Sequence, residues 1–204
     1  MISIIDYGLG NVQAFINAYK RLNIPVNVAK NTNDFVSTNK IILPGVGSFD
    51  HAIKKFNSSG LRDLIEELVL NKGIPLLGVC IGMQMLAKSS EEGKLSGLGW
   101  IDGNVRKFDI LKKKETQILP HMGWNNVVSK NENNLFKSIK NEKRFYFLHS
   151  YYFDPSKESN IIGETDYGFN FASAIKRKNI FGVQFHPEKS HHCGEQLLKN
   201  FSEI

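Results

Sequence analysis

The sequence predicts an α/β fold: a doubly wound, mostly parallel sheet with helices on both faces and an antiparallel β extension. Three observations predict it. Short apolar runs alternate with segments of helical periodicity through the first half of the chain. Those runs are continuously apolar, as strands buried on both faces should be. After Gly97 the helical pattern stops, and β-like runs follow one another almost to the C-terminus.

The elements follow in order. "ISIID" (2–6) reads as a short buried strand. Asn11 is a candidate cap for a helix with Val12, Phe15, Ile16 and Tyr19 on one face. "VNVAK" (26–30) and "KIIL" (40–43) read as strands. Leu61, Leu64, Ile65, Leu68 and Val69 form an amphipathic stripe that Gly73 and Pro75 end. "PLLGV" (75–79) is another strand, and "IGMQMLAKSS" (81–90) reads as a helix. The β-like runs of the second half are "WIDGNVRKF", "WNNVV", "RFYFLHSYYF", "IIGET", "FASAI" and "IFGVQF". "KNENN" and "NEK" near 130–143 read as exposed loop. A last helix covers roughly Cys193 to Phe201, with Leu197, Leu198 and Phe201 inward.

No linker, repeat or low-complexity stretch interrupts the chain, so residues 1–204 are expected to form one domain. The composition, 41% hydrophobic and 23% charged, is ordinary for a soluble protein. No apolar run approaches the ~20 residues that cross a bilayer. The acid in "MISIIDYGLG" argues against a secretory signal, and a cytoplasmic protein is expected. Cys80 and Cys193 stand far apart in sequence, which argues against a structural disulfide in that compartment. The formal charge is +6 and the pI about 9.2. The lysines are scattered, and the densest run, Lys112 to Lys114, has no interleaved aromatics; no nucleic-acid partner is expected.

The chemistry centres on "LLGVCIGMQML" (76–86). Cys80 falls where a strand should turn sharply into a helix, with Gly78 and Gly82 two residues to either side. Such a turn lifts a nucleophile out of a sheet edge and needs small flanking residues. The helix start supplies free N–H groups suited to a thiolate, and the Ile81 N–H is placed to receive an oxyanion. The competing reading makes Cys80 a small buried hydrophobe before a helix. A thiol nucleophile needs a base, and the base an orienting group. In "FGVQFHPEKS" (181–190), Pro187 biases His186 toward extended backbone, which would put Glu188 on the same side. A surface His–Glu pair at a strand end is the alternative. His186, Glu188, His191, His192 and Cys193 lie close in sequence, but their spacing fits no standard zinc pattern; neither metal nor cofactor is expected. "IILPGVGSFDHA" (41–52) delivers Pro44-Gly45-Val46-Gly47 at the end of a strand that should neighbour 75–79, so its backbone N–H groups could complete an oxyanion hole. A plain turn is the alternative there.

Taken together, the oxyanion loop, Gly-x-Cys-x-Gly-x-Gln and late His-Pro-Glu resemble, in that order and across essentially the whole chain, a class I glutamine amidotransferase. The resemblance implies Cys80 as nucleophile on the carboxamide of L-glutamine, His186 as base and acid, and Glu188 as orienter. It implies Val46, Gly47 and Ile81 at the oxyanion hole, and Gly45, Gln84, Ser150 and Tyr151 at glutamine. His149 is read as structural, since His186 already fills the base role, and Cys193 as a bystander. "PHMGWNNV" (120–127) and "FLHSYYF" (147–153) are similar to the branch of the family that serves histidine biosynthesis. Members of that branch form heterodimers with a separate (β/α)8 cyclase, through which ammonia is channelled to an anionic, bisphosphorylated substrate. By that resemblance Trp124, Tyr146 and Lys189 face the partner. Three other readings stay open: the same glutaminase beside another amidating synthase, a stand-alone cysteine hydrolase, and a non-enzymatic binding module.

Overall fold

The computed structural model describes residues 1–108, 118–130, 132–139 and 143–204. The lysine run at 112–114, and residues 131 and 141–142 of the two expected loops, lie outside the described residues. Thirteen strands are described: β1 (Ile2–Ile5), β2 (Val26–Ala29), β3 (Lys40–Gly45), β4 (Leu76–Cys80), β5 (Ser89–Ser90), β6 (Gly103–Lys107), β7 (His121–Asn126), β8 (Val128–Ser129), β9 (Arg144–His149), β10 (Tyr151–Pro155), β11 (Ile161–Asp166), β12 (Asn170–Arg177) and β13 (Ile180–Val183). The α-helices are α1 (Val12–Arg21), α2 (Phe49–Ser58), α3 (Arg62–Glu66), α4 (Ile81–Gln84) and α5 (His191–Glu203).

The main sheet runs β2-β1-β3-β4-β13-β12-β10-β6-β5, with β11 beside β12 and β8 beside β11. Its first five strands are parallel. β1, β4 and β13 are buried at every position, which is why they read as apolar runs interrupted only by Ser3, while β2, on the edge, stays half-buried. From β12 onward the neighbours are antiparallel, except for the short edge pair β5–β6. β7 and β9 stand apart as a two-stranded antiparallel ribbon. The run 144–153 is therefore two strands: β9 belongs to the ribbon, β10 to the main sheet, and Ser150 is the junction.

The Asn11 side chain accepts from Ala14 N at 3.3 Å and caps α1, a contact worth about 1 kcal/mol. Phe15, Ala18 and Tyr19 are buried beneath, and the Tyr19 hydroxyl donates to Leu198 O of α5 at 3.2 Å. The Leu61–Val69 stripe begins as α3 and widens into a π turn over Glu67–Asn71. α2 was not foreseen, although Phe49, Ala52, Ile53 and Phe56 have helical spacing and are all buried. Its start is tied across the chain: Phe49 N donates to Glu92 Oε2 at 2.8 Å, and Asp50 accepts from Lys94 N and Leu95 N.

The helix expected over 81–90 stops after one turn. The carbonyls of Met85, Leu86 and Ala87 accept instead from Leu98 N, Ile101 N and Gly99 N, and Lys88 N donates to Gly103 O. Once those groups are bonded elsewhere, the helical ladder cannot continue. The chain turns into the edge strand β5. Among the described residues no helix is long and apolar enough to cross a membrane.

Candidate active site

β3 and β4 run side by side, with Gly45 opposite Cys80. The 44–47 loop and the sulfur therefore meet at the same sheet edge. Cys80 has φ +55° and ψ −112°, a conformation that costs a non-glycine residue roughly 1–3 kcal/mol. Strands on both sides of β4 hold it there. The flanking glycines have a direct cause. A Cβ at Gly78 would sit 2.7 Å from Gly82 O, and one at Gly82 would overlap Leu43 O. Three stretches of backbone cross where no side chain fits.

His186 follows β13, and its N–H donates to Tyr146 O at 2.8 Å. Glu188 does not reach it by strand alternation, as the sequence suggested. Residues Pro187–Lys189 form a 3₁₀ turn, which folds the carboxylate back onto the ring. The imidazole Nδ1–H donates to Glu188 Oε1 at 2.8 Å, leaving Nε2 for Cys80. Burial pulls the His186 imidazole down, but hydrogen bonds to Cys80 and Glu188, with their charges, outweigh it and push the group up to about 10. The two side chains are 5% and 1% exposed, so solvent screens this interaction little.

A folded-state value raised from 6.5 to about 10 gives a stabilising contribution that is complete below pH 6.5 and disappears as pH rises through 10. Cys80→Ala removes one partner. Its His186 resonance is expected to titrate at lower pH by NMR, and the native chain to lose more stability than the variant between neutral pH and pH 10. Coincident His186 titration curves would refute a contribution of Cys80 to the raised His186 value.

Cys80, Ile81 and His186 line a cavity of about 310 Å³, together with Val46, Gly47, Gln84, Ser150, Tyr151 and Lys189. Ile81 N–H belongs to the first turn of α4, where amides have no intrahelical partner. Opposite it, Gly47 has φ +89° with open space around its Cα, and Val46 is exposed. The loop base is fixed, because the Tyr7 hydroxyl donates to Pro44 O at 2.8 Å. Gly45 lies one layer below, packed on Ile81 and Gly82, and Val46 and Gly47 form the wall in its place. Gln84 Nε2 donates to Tyr151 O and to Gln184 Oε1, each at 3.0 Å, while its buried Oε1 has no partner. Glu92, Pro120, Leu148 and His149 also line the cavity. Glu92 was missed because nothing near it in sequence announces a site; its carboxylate arrives there through the bond to Phe49 N.

Trp124 and Tyr146 gather next to Lys189 of the cavity lining. The Trp124 and Tyr146 rings meet edge-on at 6.2 Å, and Lys189 Nζ lies 5.8 Å from the Tyr146 ring centroid. Met122 and Leu148, paired across the ribbon, are exposed beside them.

This arrangement equips the cavity for covalent attack on a carbonyl: a sulfur on a strained turn, an imidazole held by a carboxylate, and backbone donors opposite. A family model described as Glutamine amidotransferase class-I matches residues 3–204. The chain belongs to the class I glutamine amidotransferases. Among relatives in that family, imidazole glycerol phosphate synthase subunit HisH of Bdellovibrio bacteriovorus is 52% identical over 204 residues, covering 100% of both chains. The protein of the same name from Leptospira interrogans is 50% identical over 204 residues, again covering 100% of each. The solved structure of PurLQS from Thermotoga maritima superposes with a TM-score of 0.75 at 15% identity, covering 99% of this chain and 97% of that one, a likeness of fold alone.

Proposed function

We propose that this amidotransferase is the glutaminase subunit of an imidazole glycerol phosphate synthase, acting in the cytoplasm on L-glutamine and passing ammonia to a (β/α)8 cyclase subunit. What supports the destination is one observation above all: 52% identity, across the entire chain, to a subunit of that name. What supports the chemistry is the line Glu188–His186–Cys80, whose last two members line the cavity.

In this reading the Cys80 thiol passes its proton to His186 Nε2 as the sulfur attacks the side-chain carboxamide carbon. The negative charge that develops on oxygen faces the Ile81 N–H and the Val46–Gly47 peptide. Protonated His186 gives its Nε2 proton to the departing nitrogen, so ammonia leaves and a thioester remains. Neutral His186 then takes a proton from water, which cleaves the thioester to glutamate and restores the thiol. Glu188 holds the ring orientation through both steps. Gln84 Oε1, an acceptor without a partner, and the Glu92 carboxylate are suited to the substrate ammonium. Ser150 and Tyr151 close the wall around the rest of the substrate.

Ammonia must stay away from bulk water to remain a nucleophile, and the half-exposed Trp124, Met122 and Leu148 at the mouth are suited to seating a partner that seals it. Gly47, free of neighbours, lets the loop peptide turn between an idle and a donating orientation. Glutamine hydrolysis is therefore expected to be weak in the isolated chain and to rise on addition of the cyclase subunit loaded with its substrate. High turnover without the partner, or no response to it, would remove the assignment.

A further inference from the structure

Two buried imidazoles, His149 in the cavity wall and His121 behind it, are not used by the chemistry above. His149 Nδ1 is 2.8 Å from Tyr151 O, a carbonyl that can only accept, so Nδ1 carries the proton and Nε2 is an acceptor. His121 Nδ1 is 3.0 Å from that Nε2 and must donate to it. Asn125 Nδ2 then donates to His121 Nε2 at 3.3 Å, and also to Asp166 O at 3.0 Å. His121 is stacked between Phe147, at 4.6 Å, and Tyr167, at 3.9 Å. Burial, with His121 alongside, pulls His149 down to about 3, in keeping with a neutral ring.

The donor order has an end point at the substrate. Tyr151 O takes a second hydrogen bond, from Gln84 Nε2, and Gln84 is a cavity-lining residue whose buried oxygen has no partner. The other end lies on β7. His121 and Asn125 point inward from it, while Met122 and Trp124 point outward to the exposed face.

We propose, resting on the glutaminase reading above, that His121 is a positioning residue: its Nδ1–H fixes the His149 ring, and through Tyr151 O it holds Gln84 in place for glutamine, tying the substrate pocket to the outward face of β7. If His121 donates nothing, His149 Nε2 is a buried acceptor without this bond and the ring loses its orientation. The proposed effect falls on substrate binding, because neither imidazole moves a proton in the reaction.

The test compares two variants in the complex with the cyclase subunit and its substrate. His121→Phe keeps the ring stack and removes the donor. His121→Asn removes the stack, but its amide nitrogen takes the place of Nδ1. The glutamine KM of His121→Phe should rise about tenfold with kcat little changed, and that of His121→Asn should stay near native. A packing role predicts the reverse order. Equal KM values for the two variants, or a higher one for His121→Asn, would overturn the proposal. Should His121→Phe fail to fold, nitrogen-15 NMR of the native chain decides: His149 must be protonated at Nδ1 and bare at Nε2, and the opposite tautomer refutes the relay. Absence of glutamine hydrolysis in the native complex would instead count against the glutaminase reading itself.

Discussion

Cys80→Ala is expected to lower glutamine hydrolysis by at least about 10⁴-fold, with the partner and its substrate present and at saturating glutamine. Without the sulfur no thioester forms, and the remaining donors can only hold the carboxamide. The fold should survive. Cys80 is 4% exposed, so an alanine leaves a small void, and the strain at φ +55° is unchanged because alanine also carries a Cβ. The variant should therefore still bind the cyclase and, with its cavity intact, still bind glutamine. Glutamate release that persists in Cys80→Ala, measured against a melting curve near native, would dismiss the covalent route.

Gly82→Ala should do more damage than its size suggests. The new methyl would overlap the Leu43 carbonyl and lie 3.3 Å from the Pro44 carbonyl carbon, so β3 or α4 must shift. Neither is a flexible side-chain end, and the cost belongs at the upper end of overpacking, about 3 kcal/mol. The shift would separate Ile81 from the Val46–Gly47 loop, so turnover should fall with stability. Gly60→Ala is the control. Gly60 has φ +73° but nothing within 4 Å, so strain of about 1 kcal/mol is expected there with no change in turnover. If the two variants melt alike and turn over alike, close backbone packing at Gly82 is not what the site depends on.

The parallel half of the fold was legible because burial on both faces leaves a mark in composition: β4 is apolar throughout, β1 is broken only by Ser3, and β3 is apolar after Lys40. The glycines around Cys80 were legible for a related reason, since crowded backbone excludes side chains wherever it occurs. α2 carries a helical stripe from Phe49 to Phe56, but its start has no side-chain cap and is instead held by Glu92, distant in sequence. The overlong helix after Cys80 shows the opposite limit. Its residues favour a helix, and partners more than ten residues downstream took its carbonyls. Local preference of a few tenths of a kcal/mol per residue yields to such bonds.

What can be read from the sequence by itself is the candidate site: a thiol at a strand–helix turn, a late histidine with a nearby carboxylate, and a glycine loop. Each is recorded locally, in a residue and its near neighbours. The tertiary structure alone decided how they are held. It folded Glu188 back through a 3₁₀ turn, tied Glu92 of the cavity lining to the first residue of α2, and lined up Asn125, His121 and His149 next to Tyr151. These contacts join segments far apart in the chain, and no local pattern encodes a distance that only the packed sheet and ribbon define.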